Sequence, residues 1–149
     1  LYAQDQQDAT LKLLTTSIEK AISRGHEHKD CRNFKSSVFS IFITFSAEAK
    51  VEDVFFSNST YCSAKTIENT GRYIKANIDK LNIDKSQFGE KYIAIVAYVL
   101  PQNRSETTLN TVPEGWARVF EDIDYMRFQT KSLKYCIPIG IYLLPRVEN

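Results

Sequence analysis

The sequence predicts an α+β domain: a mixed or antiparallel sheet of about four strands with helices packed on one face, in the order α-β-β-α-β-α-β. Three observations lead there. Residues 38–57 hold two runs with period-two alternation joined by a short polar link, the pattern of an antiparallel hairpin. Residues 8–24 and 63–81 instead repeat apolar side chains at three- and four-residue steps, the period of a helix. Residues 91–100 form an unbroken apolar run rich in Ile, Val and Tyr, which reads as a third strand. The helices are segregated from the hairpin, which favours α+β over a regular alternation of strand and helix.

At 149 residues the chain is long enough to bury one sizeable core. We read residues 8–149 as a single domain and residues 1–7 as a processed or disordered tail. Hydrophobic residues make up 43% and charged residues 25%, ordinary globular values that argue against a disordered or fibrous chain. Nineteen basic residues against eighteen acidic ones leave a net charge of +1. No Lys or Arg run exceeds two residues, so no nucleic-acid footprint is present. No apolar run approaches the roughly 20 residues of a membrane-spanning helix, so no transmembrane segment is expected.

Taken in order, residues 8–24 place Leu11, Leu14, Ile18, Ala21 and Ile22 on one helical stripe. Asp8 suits its start, Lys20 and Arg24 its negative end, and Gly25 its stop. The next loop, Gly25-His26-Glu27-His28-Lys29-Asp30-Cys31, contains both histidines of the chain. Imidazole and thiolate are transition-metal ligands, so His26, His28 and Cys31 are the candidate metal ligands of this sequence. The His-x-His-x-x-Cys spacing matches no structural zinc pattern, and a solvated loop is the favoured reading.

In the first strand Phe39, Ile41, Ile43 and Phe45 should face the core, with Val38, Ser40, Phe42 and Thr44 opposite. Ser46 to Lys50 makes the turn, and Val54 and Phe56 carry the core face of the second strand. Ser63 then caps a helix whose stripe is Ile67, Gly71, Ile74, Ile78 and Leu81, with Gly71 suited to a close approach of helix and sheet. Cys62 precedes that helix, where the dipole lowers a free thiol's pKa. Residues 82–90 are polar, and the strand at 91–100 should be buried on both faces or nearly so.

Residues 113–124 form a short helix with Trp116, Val119, Phe120 and Ile123 on one side; Glu121, Asp122 and Asp124 opposite read as a solvated acidic face. The last strand, 133–144, alternates Leu133, Tyr135, Ile137, Ile139, Ile141 and Leu143 against Lys134, Cys136, Pro138, Gly140 and Tyr142. Pro138 cannot donate to a ladder, so this strand should be an edge, or be bulged near Pro138-Ile139-Gly140. Cys136 reads as a small buried apolar residue, while Cys31, Cys62 and Cys136 allow one disulfide in three pairings. Asn58 and Asn103 begin Asn-x-Ser/Thr sequons in expected turns.

Leu1-Tyr2-Ala3-Gln4 resembles the end of a signal peptide of Gram-negative exported proteins, which implies a periplasmic or secreted location. Phe42-Ile43-Thr44-Phe45, a short turn, and Lys50-Val51-Glu52-Asp53-Val54-Phe55-Phe56-Ser57 resemble the hairpin of the C-terminal domain of TonB-type energy transducers, where a helix and a third strand follow. That resemblance covers residues 38–100. It implies a small exported module that binds another protein by pairing strands along a sheet edge, with a homodimer through the same edge as one form. The expected function is therefore non-catalytic protein binding, with no catalytic residue and no cofactor assigned. A small metal-binding or thiol-dependent enzyme built on His26, His28 and Cys31 is the alternative. Trp116, Phe120 and Tyr142 are the aromatic candidates for a binding surface or a small-ligand pocket between sheet and helix.

Overall fold

A computed structural model describes residues 2–26, 37–57, 64–101 and 130–143. Within them the elements run α1 (Tyr2–His26), β1 (Ser37–Phe45), β2 (Val51–Phe56), α2 (Ala64–Asp79), a 3₁₀ turn (Lys85–Phe88), β3 (Lys91–Pro101) and β4 (Ser132–Leu143). The strands form one mixed sheet in the order β2-β1-β3-β4. β1 is antiparallel to both β2 and β3, and β4 is parallel to β3. The expected α+β class is what the chain adopts. The expected short helix at 113–124 lies outside the described residues.

Alternation along each strand explains the core. Phe39, Ile41, Ile43 and Phe45 are fully buried, and their cross-strand partners continue the same apolar rows. One row runs Phe56, Ile41, Ile95 and Ile137 across all four strands, and the next runs Val54, Ile43, Ile93 and Tyr135. The α1 stripe of Leu14, Ile18, Ala21 and Ile22 packs with Ile74 and Ile78 of α2 and these rows in one cluster. Both helices therefore serve the same sheet face. Burying an Ile, Leu or Phe side chain of this kind contributes roughly 1.5–3 kcal/mol.

Several elements differ from the sequence expectation. α1 continues through Gly25 to His26 and takes in residues 2–7, where Ala3, Gln4, Gln6 and Gln7 are compatible with helix. In α2 the buried residues are Thr66, Thr70, Ile74 and Ile78, a four-residue step that passes beside Ile67 and Gly71. Thr70 can be buried because its hydroxyl donates to the Thr66 carbonyl at 2.8 Å within the helix. Among the β3 residues whose burial is described, Ile93, Ile95 and Ala97 are fully buried, while Tyr92, Ala94, Val96 and Tyr98 on the other face are half-buried.

β4 is an edge strand among the described residues, as Pro138 requires; its register runs regularly through Pro138-Ile139-Gly140, and the bulge it has lies near its start. Leu133 pairs with Tyr92 but Tyr135 with Ile93, so Lys134 is the extra residue. The bulge takes Leu133 out of the core row, and it is 49% exposed. Cys136 is a free, exposed thiol rather than a buried one, because its register with Ala94 places it on the face away from the helices.

Turns lock the sheet end. Ala49 N–H donates to the Ser46 carbonyl at 2.9 Å and Ser46 N–H to the Lys50 carbonyl at 2.8 Å, closing the hairpin with Ala49 at φ 62°. Ala49 thus takes a left-handed conformation at the end of the turn, a position where glycine is usual. The Ser46 carbonyl also accepts from Glu90 N–H at 3.1 Å, which joins the hairpin turn to the 3₁₀ turn. Asp84 caps that turn by accepting from Ser86 N–H at 3.1 Å, and Phe88 then stacks on Phe45 with ring centroids 5.0 Å apart.

Candidate functional site

α1 presents two faces. Leu14, Ile18, Ala21 and Ile22 go into the core, and the four-residue step Lys12, Thr16, Lys20 runs along the opposite, exposed side. α2 lies beside α1, and Asn77 of its last turn, with Lys80 and Leu81 just beyond its end, comes against that side. The Asn77 amide donates to the Ser17 carbonyl at 3.4 Å, tying the helices where they face each other. Further along, the Arg24 guanidinium sits 4.4 Å above the Tyr73 ring centre and ties them again.

Between the helices is an open groove of about 640 Å³. Ala9, Leu13 and Leu81 supply its apolar lining, and Lys12, Lys20 and Lys80 its charges. Among the described residues no carboxylate lines it. Among the described residues none of these three ammonium groups has an ion-pair partner. The groove can therefore hold a negatively charged ligand with an apolar part.

A second surface is the outer edge of β4, twelve residues long and without a strand beside it among the described residues. Cys136, Pro138 and Gly140 are exposed along it, and a Cβ added at Gly140 would meet nothing within 4 Å. The opposite edge, β2, has six residues and carries Glu52 and Asp53.

A third feature is Lys131, just before β4. Its side chain is 8% exposed, and the ammonium donates to the Phe45 carbonyl at 2.7 Å, lying 3.1 Å from Glu52 and 3.3 Å from Glu90. Burial pulls this ammonium's pKa down, but the hydrogen bonds and charges of Glu52 and Glu90 more than offset it. The pKa therefore ends above the ordinary lysine value. With its charge and donors fully engaged, Lys131 fastens the sheet end. Asp84, whose carboxylate the Ser86 hydroxyl and N–H hold below its ordinary pKa, has a similar structural role in the 3₁₀ turn.

Of the residues singled out from sequence, His26 ends α1. His28, Cys31, Cys62, Trp116, Phe120, Asn58 and Asn103 lie outside the described residues. Tyr142 lies in β4, in register with Leu100. Among the described residues no three His, Cys, Asp or Glu side chains gather as a metal site would need. No described helix is long and apolar enough to cross a membrane. Sequence reasoning missed both the groove and Lys131. Lys12 and Lys20 look like an ordinary solvated stripe until α2 docks beside them, and nothing local to Lys131 distinguishes it from other lysines.

Comparison of the chain with protein-family models, curated proteins and solved structures finds no match.

Proposed function

We propose that this protein is a non-catalytic binding module that takes another protein along the outer edge of β4. The observation that carries this reading is the edge itself, which offers twelve residues of backbone with no described strand beside it. An added strand gains main-chain hydrogen bonds worth roughly 0.5–1.5 kcal/mol each after exchange with water. Pro138 removes one donor, which limits indiscriminate pairing and favours partners whose register accommodates it. β2 is the poorer edge: it is half as long and carries two carboxylates, Glu52 and Asp53, side by side. The resemblance of residues 38–100 to TonB-type C-terminal domains supports the same mode of binding, and a periplasmic or secreted location belongs to the same reading.

The test is site-specific photo-crosslinking in cells that make the protein naturally. Benzoylphenylalanine is placed at position 136 on β4 and, in a separate variant, at exposed position 75 on α2. A discrete adduct from position 136 that position 75 does not give is the expected result, whether the adduct contains a second copy or another protein. No adduct from position 136, or the same adducts from both positions, overturns the proposal. Cell fractionation checks the compartment, and recovery of the natural full-length product in the cytosol removes that part of the reading.

A further inference from the structure

We propose that the groove between α1 and α2 binds an acidic, amphipathic peptide segment of a protein partner. The inference rests on reading the chain as a binding module and adds a second surface, on the helical side of the sheet. Charge complementarity is the first argument. Lys12, Lys20 and Lys80 line one groove with no carboxylate among its described lining residues, although the whole chain is nearly neutral at +1. Ammonium groups act as separate point charges, which suits several carboxylates spread along a chain better than one planar anion.

Spacing and shape add to this. Lys12 and Lys20 are eight residues apart on one helix, about 12 Å along its axis. That distance matches acidic side chains two turns apart on a bound helix. Between them is Leu13, 50% exposed, one of two large hydrophobic side chains this exposed among the described residues. An apolar side chain of the peptide would cover it, flanked by carboxylates for the lysines. The site is an open groove of about 640 Å³ between two helices, a shape that takes a peptide segment lengthwise.

Fluorescence anisotropy with a fluorescein-labelled helical peptide of Glu, Ala and Leu tests the proposal. Binding should weaken as salt rises from about 0.05 to 0.5 M. It should fall about tenfold or more in the Lys12→Gln, Lys20→Gln, Lys80→Gln triple variant, and several-fold in Leu13→Ser. Changing the exposed Lys50, Lys65 and Lys75 to Gln removes the same charge elsewhere and should leave affinity within about twofold. Absence of binding, equal binding of a Lys, Ala and Leu peptide, or equal losses in the two triple variants overturns it. So does complete displacement by millimolar inorganic phosphate, which marks a simple anion site. Co-sedimentation of the protein with phosphatidylserine vesicles, without peptide binding, overturns it in favour of a lipid surface. The β4 crosslink should persist in the groove variants, so failure here and failure of the edge reading are distinguishable.

Discussion

Lys131 brings a positive charge into the sheet end where three separate parts of the chain meet: the last carbonyl of β1, Glu52 of β2 and Glu90 before β3. Glu52 and Glu90 are about half exposed and can rehydrate if the lysine is removed, so the ion pairs themselves contribute little. The Phe45 carbonyl has the larger stake, because it loses a charged donor at 2.7 Å. Lys131→Met should lower unfolding free energy by roughly 1–3 kcal/mol, read from the urea midpoint. The pH dependence follows from its raised pKa. The folded state holds the proton more tightly than the unfolded chain, so this stabilisation is complete below the ordinary lysine value of 10.5 and is lost as pH rises through the folded value. The gap between wild type and Lys131→Met should stay constant from about pH 6 to 9 and narrow above that window. A gap that widens with alkaline pH would contradict the assignment. Nothing in the sequence around Thr130-Lys131-Ser132 reveals this role, because all three of the lysine's partners are distant along the chain.

Two glycines show how an element's packing decides what a sequence pattern means. Gly71 on α2 looks from sequence like a notch for close approach to the sheet, and it does face Val54 and Phe56 of β2. A Cβ there would lie 3.8 and 3.9 Å from those side chains, ordinary van der Waals distances. Gly71→Ala should therefore raise stability by about 0.5–1 kcal/mol through helix propensity and a less flexible unfolded chain. Gly89, in a stretch that reads only as a polar connection, is the constrained one. Its added Cβ would meet the Ala47 carbonyl oxygen at 3.0 Å, and that turn is held in place by the bond from Glu90 N–H to Ser46. Gly89→Ala should cost about 1–3 kcal/mol, and thermal unfolding of the two alanine variants should move in opposite directions. Periodicity locates helices and strands because burial repeats along them. It does not register contacts between two turns, which is why the hairpin was legible while Ala49 at φ 62° and the buried Phe88 were not.

At the scale of the whole molecule, the order β2-β1-β3-β4 puts β1 and β3 inside the sheet and β2 and β4 at its edges among the described residues. The alternation of β1 and the proline of β4 made the outer strand legible in the sequence. The parallel pairing of β3 with β4 was not, because neither strand's own pattern sets its direction relative to the other. The arrangement makes a prediction that bears on the proposed binding edge. Residues Ile41 to Thr44 of β1 and their partners Tyr92 to Ile95 of β3 have strands on both sides and belong to the inner sheet, so their amides should exchange with deuterium only near the rate of global unfolding. In β4, amides alternately face β3 and the outer edge. Isolated protein should therefore show a two-residue alternation from Tyr135 to Ile141, with protected amides next to rapidly exchanging ones and Pro138 contributing none. Mass spectrometry with electron-transfer fragmentation resolves this pattern. Uniform protection along β4, equal to that of β1, would show the outer edge already occupied and remove it as a docking strand. Protection of the fast set on mixing with a crosslinked partner, with the inward set unchanged, is what strand addition requires.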